Sequence, residues 1–84
     1  MRGRGMENRL KNVMSAVFQI PPEAITEQAS PRDIQVWDSL EHMKLIVAIE
    51  EEFDIKFDYD EIQSLINYKV ISSTVKAYLD QKNA

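Results

Sequence analysis

From Ser39 to Phe53 the sequence reads SLEHMKLIVAIEEEF, with no proline or glycine to interrupt it. At about 100° per residue, His42, Leu45, Ile46, Ile49 and Phe53 fall in one arc of a helix, and Leu40, Met43 and Val47 widen that arc to about 220°. A helix that covers one side of a core needs an apolar stripe only a little over about 100° wide. This helix must therefore lie among several neighbours or leave Leu40, Met43 and Val47 exposed for a partner, and in so small a chain an exposed patch is expected. Glu41, Lys44, Ala48, Glu51 and Glu52 make the opposite, wetter face. Asp38 is suited to cap the helix start, and Glu41 three residues on completes the pattern of a capping box. Ser39 then takes the first helical position, where unpaired backbone N–H groups and the positive end of the helix dipole favour an anion.

The rest of the chain supplies the neighbours. Leu10, Val13, Met14, Val17 and Phe18 recur at helical spacing, so a first helix is predicted over 7–19, ended by Pro21-Pro22. The connection from Pro21 to Trp37 is long for a small domain and is expected to pack along the bundle through Ile25 and Ile34. Downstream, Asp58 and Glu61 offer a second capping box, with Phe57 and Ile62 placed as a hydrophobic staple, which predicts a short helix from Tyr59 to Ile66. Asn67 and Tyr68 are read as its interruption. Ser72 or Ser73 then caps a last helix whose apolar face is Val75, Tyr78 and Leu79, with Lys82 near its end. The predicted fold is all-α: a small four-helix bundle of three longer helices and one short third helix, with a long loop between helices 1 and 2.

Composition narrows the function. The chain has 84 residues, no cysteine and a formal charge of −4. It holds one domain, expected over 7–82, behind a disordered leader at 1–6 that contains Met1-Arg2-Gly3-Arg4-Gly5. Without cysteine there is neither a disulfide framework nor a thiolate metal site, which points to the reducing cytoplasm. One histidine and carboxylates without calcium-loop spacing argue against any metal site. No stripe of Lys and Arg suits nucleic acid, and no apolar run reaches the roughly 18 residues of a membrane span.

Asp38-Ser39-Leu40 at the start of a helix that ends Glu50-Glu51-Glu52-Phe53, between an opening helix with a long loop and two closing helices, resembles an acyl carrier protein over residues 7–81. The resemblance implies that Ser39 receives 4′-phosphopantetheine from coenzyme A through a phosphopantetheinyl transferase, with Asp38 as helix cap and motif residue. The terminal thiol of that group would hold acyl or aminoacyl cargo as a thioester. Partners implied are an acyl- or aminoacyl-loading ligase and downstream acyl-processing enzymes, with Trp37, Leu40, Glu41, Met43, Val47, Glu50 and Glu51 as contact residues. The expected form is a cytoplasmic monomer that itself catalyses nothing.

Three residues depart from the pattern of general fatty-acid carriers. Trp37 adds a large apolar body beside the serine, either as a partner contact or as a closure of the loop onto the bundle. Lys44 places a cation among the acids of the wet face and should weaken attraction to basic partner surfaces, which favours a specialised pathway. His42 follows Ser39 by three places, and is expected to line the mouth of the interior or to pack partly wet. A Ser39–His42 nucleophile pair is disfavoured, because no third group is placed to orient the imidazole. The competing reading from another class is a carrier-like helical adaptor that never takes the prosthetic group and acts only by protein–protein contact through Leu40, Met43 and Val47.

Overall fold

The computed structural model describes residues 2–82. Four α-helices follow one another: α1 (Arg2–Phe18), α2 (Ser39–Phe53), α3 (Tyr59–Ser64) and α4 (Tyr68–Lys82), with a single 3₁₀ turn at Pro22–Ala24 in the first connection. Among the described residues there is no strand. The bundle and its long first loop are those expected.

The amphipathic pattern of α1 buries Leu10, Met14 and Phe18, with Val13 and Val17 packed at the margin. The helix stops where the sequence says it should. Gln19 turns left-handed at φ 57°, and the Ile20 N–H reaches back to the Ser15 carbonyl at 3.2 Å, the six-to-one bond of a Schellman ending. Pro21 then cannot continue the helix. The other end corrects the expected leader: residues 2–6 form the opening turns of α1, and Met6 packs against the core, which gives them a reason to be helical. Met1 lies outside the described residues.

The loop packs as predicted. Ile25, Ala29 and Ile34 are buried, and the Ala29 carbonyl accepts the Tyr68 N–H at 2.8 Å, tying the loop to the start of α4. Asp58 and Glu61 form the full capping box of α3, with Phe57 buried and Ile62 partly buried as a staple requires. α3 is shorter than expected: it ends at Ser64, and the residue that follows, Leu65, turns out of helical geometry and is itself buried.

The start of α4 also needs correction. Asn67 caps it, its Oδ1 accepting from the Val70 N–H at 2.8 Å. Ser72 and Ser73 lie inside the helix. Tyr68 stays in the helix because its ring is buried against α1, with Lys11 over its face at 5.6 Å and its hydroxyl donating to Glu7 at 3.3 Å. The core is closed by α2, which packs chiefly on α1 through Leu45, Ile46, Ile49 and Phe53. Each such fully buried aliphatic contributes about 1.5–3 kcal/mol relative to exposure.

Candidate functional site: the start of helix α2 and the cleft beside it

Asp38 is extended and its Oδ1 accepts the Glu41 N–H at 2.8 Å, which fixes α2 to begin at Ser39. Only half of the expected capping box forms. The Glu41 carboxylate turns outward to Lys44 Nζ at 3.0 Å instead of back to Asp38, and the Asp38 N–H bonds the Val36 carbonyl at 2.9 Å. A local i,i+3 ion pair has displaced the reciprocal cap. Ser39 is exposed on the first turn, and no side chain among the described residues hydrogen-bonds it.

Next to Ser39 a cleft of about 540 Å³ runs between α2 and α3. Trp37, His42, Ile62 and Leu65 lie along it, Met43, Tyr59 and Ile66 are its exposed apolar residues, and Pro31, Asp38 and Gln63 complete the lining. Tyr59, Ile62, Gln63 and Ile66 escaped the sequence reading as site residues. Their spacing of i, i+3, i+4 and i+7 marks one helical face, and that was the available signal.

The proposed contact residues separate into two groups. Leu40, Met43 and Val47 are 65%, 48% and 50% exposed, the surplus apolar face that the width of the helix stripe implied. Glu51 is exposed beside them. Glu50 is otherwise engaged: its Oε2 accepts the Phe57 N–H at 2.9 Å and holds the turn into α3. Trp37 corrects the expectation of a partner contact. It is only 3% exposed, its indole lies 5.2 Å from the Phe18 ring, and its bulk closes the loop onto the bundle. His42 Nδ1 accepts from Trp37 Nε1 at 3.0 Å, and His42 Nε2 lies 3.0 Å from the Ile62 carbonyl.

This geometry can hold an anion-linked group. The Ser39 hydroxyl is reachable, the N–H groups of Ser39 and Leu40 have no acceptor within the helix, and the adjoining cleft gives a flexible, partly apolar chain somewhere to rest. The phosphate of a phosphopantetheine would suit such a donor set.

The family model described as the phosphopantetheine attachment site matches residues 8–77. The acyl carrier protein of Buchnera aphidicola subsp. Schizaphis graminum is 33% identical over 78 residues, covering 93% of this chain and 94% of that protein. The acyl carrier protein of Caulobacter vibrioides strain NA1000 / CB15N is 32% identical over 76 residues, covering 90% and 92%. The solution NMR structure of a holo acyl carrier protein from Geobacter metallireducens superposes with a TM-score of 0.82 at 35% identity, covering 92% of this chain and 88% of that one. The chain belongs to the acyl carrier protein family, whose prosthetic group is 4′-phosphopantetheine. Among the described residues no helix is long and apolar enough to cross a membrane, and no group of side chains is placed to hold a metal ion.

Proposed function

We propose that Ser39 is the attachment point of 4′-phosphopantetheine, received from coenzyme A through a phosphopantetheinyl transferase, and that the chain presents acyl or aminoacyl cargo to the enzymes of a specialised pathway. The observation that carries this reading is an exposed, unengaged serine hydroxyl on the first turn of a capped helix, beside a partly apolar cleft. When bound, the group supplies a thiol that holds cargo as a thioester. The chain's own residues do the positioning. Asp38 fixes where the helix begins, and the free N–H groups above it stabilise the phosphate.

A hydrolytic role for Ser39 lacks a base. Asp38 is engaged as a cap, and both nitrogens of His42 are held by Trp37 and Ile62. Leu40, Met43 and Val47, with Glu51 nearby, form the surface offered to a loading ligase and to downstream enzymes. The pairing of Lys44 with Glu41 neutralises part of the acidic face, and that supports dedicated partners over those that read a strongly acidic helix.

The test is modification. With coenzyme A and a broad-specificity phosphopantetheinyl transferase, the intact mass of the wild type should rise by one phosphopantetheine, and Ser39→Ala should show no gain. An unmodified wild type, under conditions that load a control carrier, would leave the adaptor reading through Leu40, Met43 and Val47.

A further inference from the structure

His42 is tied at both ends. Trp37 Nε1 donates to its Nδ1 at 3.0 Å, so the ring proton sits on Nε2, which donates to the Ile62 carbonyl at 3.0 Å. One imidazole thus joins the long loop, α2 and α3. The Trp37 and His42 rings lie nearly parallel, with centroids 6.1 Å apart. Both line the cleft beside Ser39, and Trp37 also packs on Phe18 in the core.

We infer that His42 is a specificity-determining residue: it is a bar across the cleft that keeps bound cargo against Met43, Tyr59 and Ile66 and out of the core. The carrier then favours short or compact acyl groups over long straight chains. This rests on Ser39 bearing the prosthetic group. The physical reason lies in the hydrogen bonds. To pass more deeply, a cargo chain must displace His42 from Trp37 and Ile62, leaving an indole N–H and a carbonyl in a partly buried setting. An alkyl chain offers neither group a partner. The Ile62 carbonyl would keep only its 3.4 Å bond from the Leu65 N–H. Lying in the outer cleft breaks neither tie.

The experiment uses the apo-protein, converted by a broad-specificity phosphopantetheinyl transferase that moves the acyl-phosphopantetheine of acyl-coenzyme A donors, butyryl to myristoyl, onto Ser39 with loss of adenosine bisphosphate; loading is checked by intact mass. Two readouts follow chain length: melting temperature, and the emission of Trp37, the single tryptophan. In the wild type the melting temperature should rise over the shortest chains and then level off, with Trp37 emission unchanged by the longest. In His42→Leu, which keeps an apolar side chain but loses both bonds, melting temperature should keep rising to myristoyl, and Trp37 emission should shift on loading. Trp37→Phe removes the donor and retains a ring against Phe18; it should give the same continued rise if His42→Leu does not fold. A wild type that gains stability through myristoyl with a Trp37 shift overturns the inference, as do variants that level off where the wild type does. Failure to load at all sinks the Ser39 reading and this inference together, whereas loading with the wrong length profile sinks only the inference.

Discussion

The two ends of α2 belong to one helix and are treated in opposite ways by the rest of the molecule. At the C-terminal end, Arg9 donates to the Glu52 carbonyl at 2.7 Å and to its Oε2 at 2.9 Å, while its guanidinium sits 4.6 Å from the centre of the Phe53 ring. Lys82 arrives from α4 and donates to the Asp54 carbonyl at 2.7 Å and the Phe53 carbonyl at 3.3 Å. Asp54 turns left-handed at φ 56° and returns its N–H to the Glu50 carbonyl. Two cations thus answer the negative pole of the dipole, and orphan carbonyls find partners. At the N-terminal end the helix has the Asp38 cap, while Ser39 and Leu40 remain exposed. The positive pole faces the acids of its own cap and first turn, Asp38 and Glu41. A helix anchored firmly at one end can leave its other end open, because packing of Leu45, Ile46, Ile49 and Phe53 holds it in place independently of its first turn.

The contrast can be broken at its anchored end most severely. Phe53→Ala removes a buried ring together with the face on which Arg9 rests, and should destabilise the domain by about 3–5 kcal/mol in urea unfolding. A loss below about 1 kcal/mol would show that the anchor lies elsewhere. The caps are the next test. Asp38→Ala should cost about 1 kcal/mol through the lost Glu41 N–H bond, and should slow phosphopantetheinylation as the first turn frays. Arg9→Ala should cost up to about 1 kcal/mol, since its pair with Glu52 is half-exposed, and should leave the rate of phosphopantetheinylation unchanged. Equal effects of the two substitutions on that rate would mean that the ends are not independent.

The smallest effect sharpens the picture of α3, the far wall of the cleft. The Tyr78 hydroxyl donates to Glu61, and chiefly through that bond the phenol is pushed up to about 12. The folded chain therefore holds this proton when the unfolded chain, titrating near its ordinary value of about 10, has lost it. Its stabilising contribution is present below the unfolded value and is lost as pH rises toward the folded one. Denaturation midpoints should thus fall more steeply across this range in the wild type than in Tyr78→Phe, by a small margin. Parallel curves would show that α3 is not held by this bond.

Much of the site could be read in the chain, because its determinants are local. Asp38 as cap, Ser39 on the first turn and the surplus width of Leu40, Met43 and Val47 all follow from spacing within one helix. Where the sequence reading failed, the deciding contact came from far away. Asn67 looked like a break, yet it is an ordinary N-cap, and the helix it opens holds Tyr68 only because Glu7 and Lys11 of α1 meet that ring. Trp37 could face a partner or the bundle on sequence grounds; Phe18 settles it. The half-formed capping box at Glu41 is the exception, a local one: Lys44, three residues on, competes for the same carboxylate.

The sequence by itself determined the four helices, the loop that packs through Ile25 and Ile34, and the serine at the head of α2. These depend on periodicity, capping and proline placement, interactions that reach only a few residues along the chain. The tertiary structure alone decided that α3 comes alongside α2 to make a cleft, that Trp37 is buried, and that His42 bridges Trp37 to the Ile62 carbonyl. A hydrogen bond between residues twenty apart leaves no periodic trace, because its distance is set by how helices pack and not by where residues fall on one of them.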